Sequence, residues 1–192
     1  MSSDPRLNLL LSRRSTPSRL LGAPGPSTHE LESLVEAAAC VPDHGRLRPW
    51  RLVLIRDNAG TKLGQALVDI RLARGELLAD AVRDKDLHRF NRAPLVLVVI
   101  SSVVRGHKIP EVEQLCSAAA VAQNLLLAAH ALGYGAQWLT GWPAYDADVT
   151  RLLGLLENES ILGFVHIGTA EGQAALVQRP NAAQLLQEWL PT

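Results

Sequence analysis

Apolar positions recur along this chain at two spacings, and the alternation between them lays out the elements. Leu31, Leu34, Val35, Ala38 and Ala39 fall three and four apart, the repeat of a helix with one buried face. Ser27 and Glu30 precede them at capping-box spacing, where hydroxyl and carboxylate satisfy the first free amides. Nearer the start, Asp4-Pro5 reads as an N-cap followed by proline at the first helical position. A short helix over Leu7 to Ser12 follows, and Pro17 stops it. "GAPGPS" (22–27) is a turn-rich connector. From Thr61 to Phe90 the helical repeat of Leu63, Leu67 and Ile70 is broken by Gly75 and by "RDKDLHR". That pattern predicts two helices, or one helix and a mobile excursion.

The second spacing belongs to strands. "WRLVLI" (50–55), "PLVLVVI" (94–100), "YGAQWLT" (134–140) and "ILGFVHIG" (161–168) are short apolar runs of the kind a sheet buries. The longest helical signal is "EVEQLCSAAAVAQNLLLAAHAL" (111–132), capped by Gly133. Its alanines and leucines leave little polar surface, so it predicts burial on most sides. A core position and a subunit interface account for that equally well. Asp146 caps a short helix around 149–153, and "AAQLLQEWL" predicts a terminal one. The class is mixed α and β in a single domain, 1–192. The pattern leaves the direction of the strands open.

Composition narrows the function classes. With 47% hydrophobic residues the chain has ample material for a core, and nineteen basic side chains balance nineteen acidic ones. That balance supplies no overall field for nucleic acid or an anionic membrane. Cys40 and Cys116 make neither a disulfide framework nor a zinc motif. The N-terminus lacks the pattern of a secretion signal, and the apolar runs carry polar breaks short of the ~20 residues of a membrane span. The expectation is a soluble, cytoplasmic protein.

Candidate chemistry is sparse. "SRRS" (12–15) sets two guanidinium groups and a hydroxyl at a helix end, which suits a phosphate and equally suits the dipole at a helix C-terminus. "GYGAQW" (133–138) fails as a dinucleotide fingerprint, because the third glycine is missing and the glycines lie between helix and strand. GxxxxGK[ST], HExxH and GxSxG are absent. Cys40 and His44 are separated by Pro42, so Cys40 reads as a small buried residue and not as a nucleophile. His166, inside an apolar strand, reads as a core histidine with its bonds satisfied, and the charge run 83–92 as a solvated helix face. "VPDHGRLRPW" (41–50) is unusually polar and proline-framed for a link between two buried segments. It is either solvated surface or a rigid presenter of groups to something small and anionic. With no nucleophile, metal cluster or carboxylate pair, an enzyme of this sequence leaves its chemistry to a cofactor.

Taken as ordered blocks, "LLLSRRSTPSRL", "VPDHGRLRPWRLVLI", "HKIPEVEQLCSAAAVAQNLLLAAHALGYGAQWLTG" and "ILGFVHIGTA" resemble the FMN-dependent nitroreductases, most closely the short YdjA-like subfamily. The resemblance covers nearly the whole chain. It implies an α+β fold with a central, mostly antiparallel sheet flanked by helices. It also implies an intertwined homodimer with an FMN site at each of two composite interface positions, the C-terminal segment often extending across the partner. Carried over by position, Arg13, Arg14 and Ser15 match the N-terminal flavin motif. Gln137, Trp138, Leu139, Thr140 and Gly141 match the segment along the ring, and Arg179 a C-terminal phosphate contact. Pro42 and His44 match a loop that reaches the flavin from the other subunit. Where the wider family reads P-S-S-x-N-x-Q-P-W, this chain has Asp43, His44, Arg46 and Arg48 at the variable places.

The implied reaction is hydride transfer from NADH or NADPH to flavin N5 and on to a small acceptor such as a nitroaromatic or quinone, with ping-pong kinetics. A flavin-binding sensor or store without turnover, and dehalogenation or flavin fragmentation on the same fold, are the alternatives. Residues 71–92 are the candidate mobile lid.

Overall fold

The computed structural model describes residues 4–172 and 174–191. Its elements in chain order are α1 (Pro5–Ser12), β1 (Leu21–Gly22), α2 (Thr28–Ala39), β2 (Trp50–Arg56), α3 (Asn58–Ala73), α4 (Asp80–Leu87), β3 (Leu95–Ser102), α5 (Glu111–Ala131), β4 (Gly135–Leu139), α6 (Ala147–Leu152), β5 (Glu159–Ala170) and α7 (Ala182–Leu185). One five-stranded sheet has the order β1-β5-β3-β2, with β4 also paired to β5. Every ladder among the described residues is antiparallel, so the fold is the α+β arrangement that the resemblance implies.

β3 explains where the core lies. Successive side chains of a strand point to opposite faces, and both faces of β3 are covered, so all of its apolar positions are buried. Leu95, Leu97 and Val99 pack under α2 and α5 through Leu34, Ala38, Val121, Leu125 and Ala129. Val96, Val98 and Ile100 face α3 and the chain leaving α4, through Leu63, Leu67, Phe90 and Phe164. On that second side the backbone comes very close to α3. A Cβ on Gly64 would lie 2.0 Å from the Leu87 carbonyl oxygen, and one on Gly60 2.3 Å from that of Phe90. Only glycine permits the contact.

The helix starts follow their local chemistry. The Asp4 carboxylate accepts the Arg6 amide, Ser27 and Glu30 form the full capping box, and Asp146 accepts the amides of Asp148 and Val149. The broken stretch is two helices, and the first begins at Asn58, ahead of the expected Thr61. Four expectations need correction. The terminal helix stops at Leu185, because Leu186, Trp189 and Leu190 are exposed and have nothing to pack on. Residues 21–22 form a strand because β5 supplies pairing partners at Ala170 and Thr169. α5 buries only one side within the chain, leaving Val112, Leu115 and Cys116 exposed. By length and composition α5 also meets the criteria for a membrane span, with 21 residues and an 18-residue stretch of mean hydropathy 1.2. Its packing on the sheet makes it a core helix.

One ion pair ties three strands. Arg51 on β2 reaches Glu159 on β5 with two hydrogen bonds of 2.7 Å, and the carboxylate also accepts from the Ser102 hydroxyl and the Leu156 amide. Glu159 is almost fully buried, and its bond to Arg51 lowers its pKa from the ordinary 4.5 to about 2. The stabilisation is therefore complete above about pH 4.5 and disappears as pH falls toward 2. Glu159→Gln is expected to cost about 3 kcal/mol at pH 7. In urea denaturation the gap to the parent protein should narrow between pH 5 and pH 3; a gap independent of pH would refute this role.

Candidate functional site

The end of α1 runs directly against the sheet. Beyond Arg13 the chain is extended, the Thr16 amide donates to the Ala136 carbonyl at 3.0 Å, and the Ser18 amide donates to Gln137 Oε1 at 2.6 Å. Arg13, Arg14 and Ser15 are thereby fixed beside β4. Arg14 Nη1 donates to the carbonyls of Leu11 and Arg13 at 2.7 and 2.9 Å, which closes the last turn of α1 as a cation at a helix C-terminus does. Arg14 Nε is buried without a partner. Arg13 Nη1 lies 3.5 Å from the Ser15 hydroxyl. Arg179 enters from the C-terminal arm and donates to the Arg13 carbonyl at 3.1 Å. His130, in the last turn of α5, shares a 3.0 Å hydrogen bond with Ser12.

These cations crowd one another. Burial holds the Arg13 guanidinium below its usual range, and the charges of Arg179 and Arg14 lower it further. Burial, then Arg13 and Arg14, likewise push His130 down. Among the described residues, Arg13, Arg14 and Arg179 form no ion pair with a carboxylate. Like charges held together without a counterion fit an anion whose oxygens can accept from several guanidinium donors. Of the two readings of "SRRS", the helix-closing one describes Arg14; the grouped cations leave room for the phosphate one.

The five residues from Gln137 to Gly141 divide into scaffold and presenter. Gln137 spends its side-chain carbonyl on Ser18. Trp138 Nε1 donates to the Leu162 carbonyl at 3.1 Å, with Gly163 so close that a Cβ there would lie 2.1 Å from that nitrogen. Leu139 is half-buried, whereas Thr140 and Gly141 form an exposed turn. The surface of this turn is backbone and the Thr140 side chain.

The proline-framed loop is tied to itself by hydrogen bonds. The Asp43 carboxylate accepts the amides of Leu47 and Arg48 at 3.2 and 2.9 Å. Gly45, Arg46 and Arg48 all sit at positive φ, 74°, 56° and 48°, a conformation that costs about 1 kcal/mol or more for each arginine. His44 Nδ1 is 2.8 Å from Glu113, and the Pro42 carbonyl accepts the Ser117 hydroxyl at 2.5 Å. Together with Val112 and Cys116 they line a cavity of about 330 Å³. Pro42 and His44 are not beside the arginine cluster in this chain. Ser117 and His130 are thirteen residues apart on α5, about 20 Å along the helix at 1.5 Å per residue.

Cys40, expected to be buried, is exposed at the end of α2. The run 83–92 is not simply solvated either. Asp86 is buried, held by Arg71 at 2.9 Å and by the Trp142 indole at 3.1 Å. His166 is in the core as expected, but both ring nitrogens lack partners, so burial pushes its pKa down to about 4. Asp86 and Arg89 were missed because their partners lie in three separate segments. The available signal was an aspartate three residues ahead of an arginine within an otherwise helical stretch. No cluster of metal-ligating side chains occurs among the described residues.

Residues 10–169 match the model of the nitroreductase family. The Escherichia coli K12 protein YdjA, provisionally named an NAD(P)H nitroreductase, is 31% identical over 169 residues, covering 88% of this chain and 90% of its own. A Haemophilus influenzae protein with the same provisional designation is also 31% identical, over 173 residues, 88% of this chain and 90% of its own. Among solved structures, a nitroreductase-like family protein from Bacillus cereus superposes with a TM-score of 0.79 at 23% identity, covering 98% of this chain and 97% of its own. A provisionally named nitroreductase from Desulfovibrio desulfuricans, solved in complex with FMN, gives 0.75 at 26% identity over 99% of this chain and 100% of its own. The chain belongs to the nitroreductase family.

Proposed function

We propose that the protein is a homodimeric FMN-dependent oxidoreductase that passes a hydride from NADH or NADPH to a small acceptor such as a nitroaromatic or quinone. The observation that carries this reading is the convergence of Arg13, Arg14 and Arg179 without a carboxylate counterion among the described residues, in a family whose solved members include FMN complexes. The buried, unpartnered Arg14 Nε and the exposed Ser15 hydroxyl fit a phosphate monoester. When bound, FMN supplies the hydride chemistry for both substrates in turn, which gives ping-pong kinetics. The chain's own part is to hold and orient. Arg14, Ser15 and Arg179 grip the phosphate, Arg13 adds positive charge, and the backbone from Gln137 to Gly141 lines the ring.

A second copy completes the site. Pro42 and His44 lie at one end of α5 and the arginine cluster at the other. An isologous two-fold contact that pairs α5 antiparallel with its copy brings the loop of one chain beside the arginines of the other. The surfaces for such a contact are apolar and uncovered: Val112 and Leu115 on α5, Leu7, Leu10 and Leu11 on α1, and Leu186, Trp189 and Leu190 on the C-terminal arm. Residues 71–92 are given the role of substrate selection, with Leu77 fully exposed at the tip; movement as a lid requires breaking the Arg71–Asp86 pair. Two free, exposed cysteines suit a reducing compartment, in keeping with a cytoplasmic location.

The purified protein is expected to be yellow, to release FMN on denaturation, and to bleach rapidly on anaerobic addition of NADH or NADPH. A yellow protein that does not bleach is a flavin carrier and not an enzyme. Arg14→Ala should lower FMN retention on gel filtration at least tenfold; unchanged retention defeats the phosphate assignment. Sedimentation equilibrium should give twice the chain mass, and a monomer that still holds FMN refutes the composite site.

A further inference from the structure

The exposed Thr140–Gly141 turn is held from behind by a residue that lies outside every block of the family resemblance. Arg89 follows α4, and its side chain is only 11% exposed. Its Nη1 donates to the Thr140 carbonyl at 3.4 Å and lies 3.3 Å from where a Gly141 Cβ would stand. Gly141 itself is at φ 104°, a conformation open to glycine, so the turn keeps its shape only if something else fixes it.

Arg89 is fixed in its turn. Its Nη2 is 3.4 Å from Asp86 Oδ1. The same carboxylate accepts from Arg71 Nη1 at 2.9 Å and from the Trp142 indole, which immediately follows Gly141, at 3.1 Å. Arg71 is also paired with Glu76 at 2.8 Å and lies 5.5 Å from the Trp142 ring. Asp86 thus grips the turn twice, through Arg89 on one side and through Trp142 on the other. The Asp86 bonds are part-buried, and a charged hydrogen bond shielded from water is stronger and more directional than one in it.

We propose that Arg89 is a positioning residue for the flavin, fixing the Thr140–Gly141 backbone and placing a positive charge behind it, with Asp86 and Trp142 setting its orientation. The proposal rests on the FMN reading above and deepens it: the turn's backbone meets the ring in one geometry because a buried ion cluster in residues 71–92 holds it. Small displacements of a ligating backbone carry large penalties, and a fixed cation nearby favours the more electron-rich state of a bound redox group.

The test compares full-length holoprotein with Arg89→Met, Arg89→Lys and Trp142→Phe. It reads the FMN dissociation constant, the positions of the bound-flavin absorption bands and the two-electron reduction potential. Arg89→Met should weaken FMN about tenfold and displace the absorption bands. It should also lower the potential by about 30 mV, the equivalent of tenfold for two electrons. Arg89→Lys should recover the potential more fully than the bands, since lysine restores the charge without the fork. Arg14→Ala, in the phosphate site, should weaken FMN without moving the bands of what remains bound. Parent-like bands and potential in Arg89→Met, even with a lower melting temperature, would reduce Arg89 to a structural residue and overturn the proposal. If Arg89→Met does not fold, Trp142→Phe decides: a smaller shift of the same sign supports the proposal, and unshifted bands and potential overturn it. A parent protein that binds no FMN defeats the cofactor reading itself, which is a separate result.

Discussion

The site depends on how the stretch after α1 is fastened to β4. The Thr16 amide on the Ala136 carbonyl and the Ser18 amide on Gln137 hold Arg13 and Arg14 where Arg179 and His130 also arrive. Like charges held close in a medium of low effective dielectric repel one another. A loose chain end would relax away from that repulsion. This one is anchored to an edge of a sheet whose β5 also carries β1 and β3, so the like charges stay together. On the proposed reading, that crowding favours a phosphate, and the same burial and neighbouring charges hold Arg13 and His130 below their usual ranges.

On the dimeric reading, α5 does two jobs with opposite faces. Val121, Leu125 and Ala129 bury against the sheet, while the face carrying Val112 and Cys116 stays open. That division explains why its composition is apolar all round although one chain covers only half of it. It also explains why the loop of Pro42 and His44 is stiffened by Asp43 and by left-handed arginines. A loop that must meet a ligand held by another chain cannot rely on that ligand to shape it beforehand.

Features set by neighbours in sequence were legible in the sequence. The Asp4, Ser27 and Asp146 caps, the doubly buried β3 and the length of α5 all follow from contacts within a few residues or from a single period. Features set by distant partners were not. β1 exists only because β5 extends to Ala170, and Asp86 is buried only because Arg71, Arg89 and Trp142 converge from separate segments. The terminal helix failed for the converse reason: "AAQLLQEWL" has helical spacing, but beyond Leu185 its apolar side chains meet nothing in this chain. Of the candidate site, Arg13, Arg14 and the run 137–141 lie in the ordered blocks of the resemblance, whereas Arg89 lies only in the charge run 83–92.

The division of labour within the site bears on why the chain shows no catalytic signature. Gln137 and Trp138 look like binding residues in the sequence, yet their polar atoms are committed to Ser18 and Leu162. Arg14 spends two of its donors on α1. Side chains with their bonds committed are poor acids, bases and nucleophiles, but they make a stiff frame for a backbone turn. Such a frame suits a bound group that brings its own reactivity, because the group then needs only a fixed orientation and a suitable field. On the proposed flavin reading, acceptor range is then set by what can reach the exposed face beside residues 71–92, and not by a dedicated catalytic group.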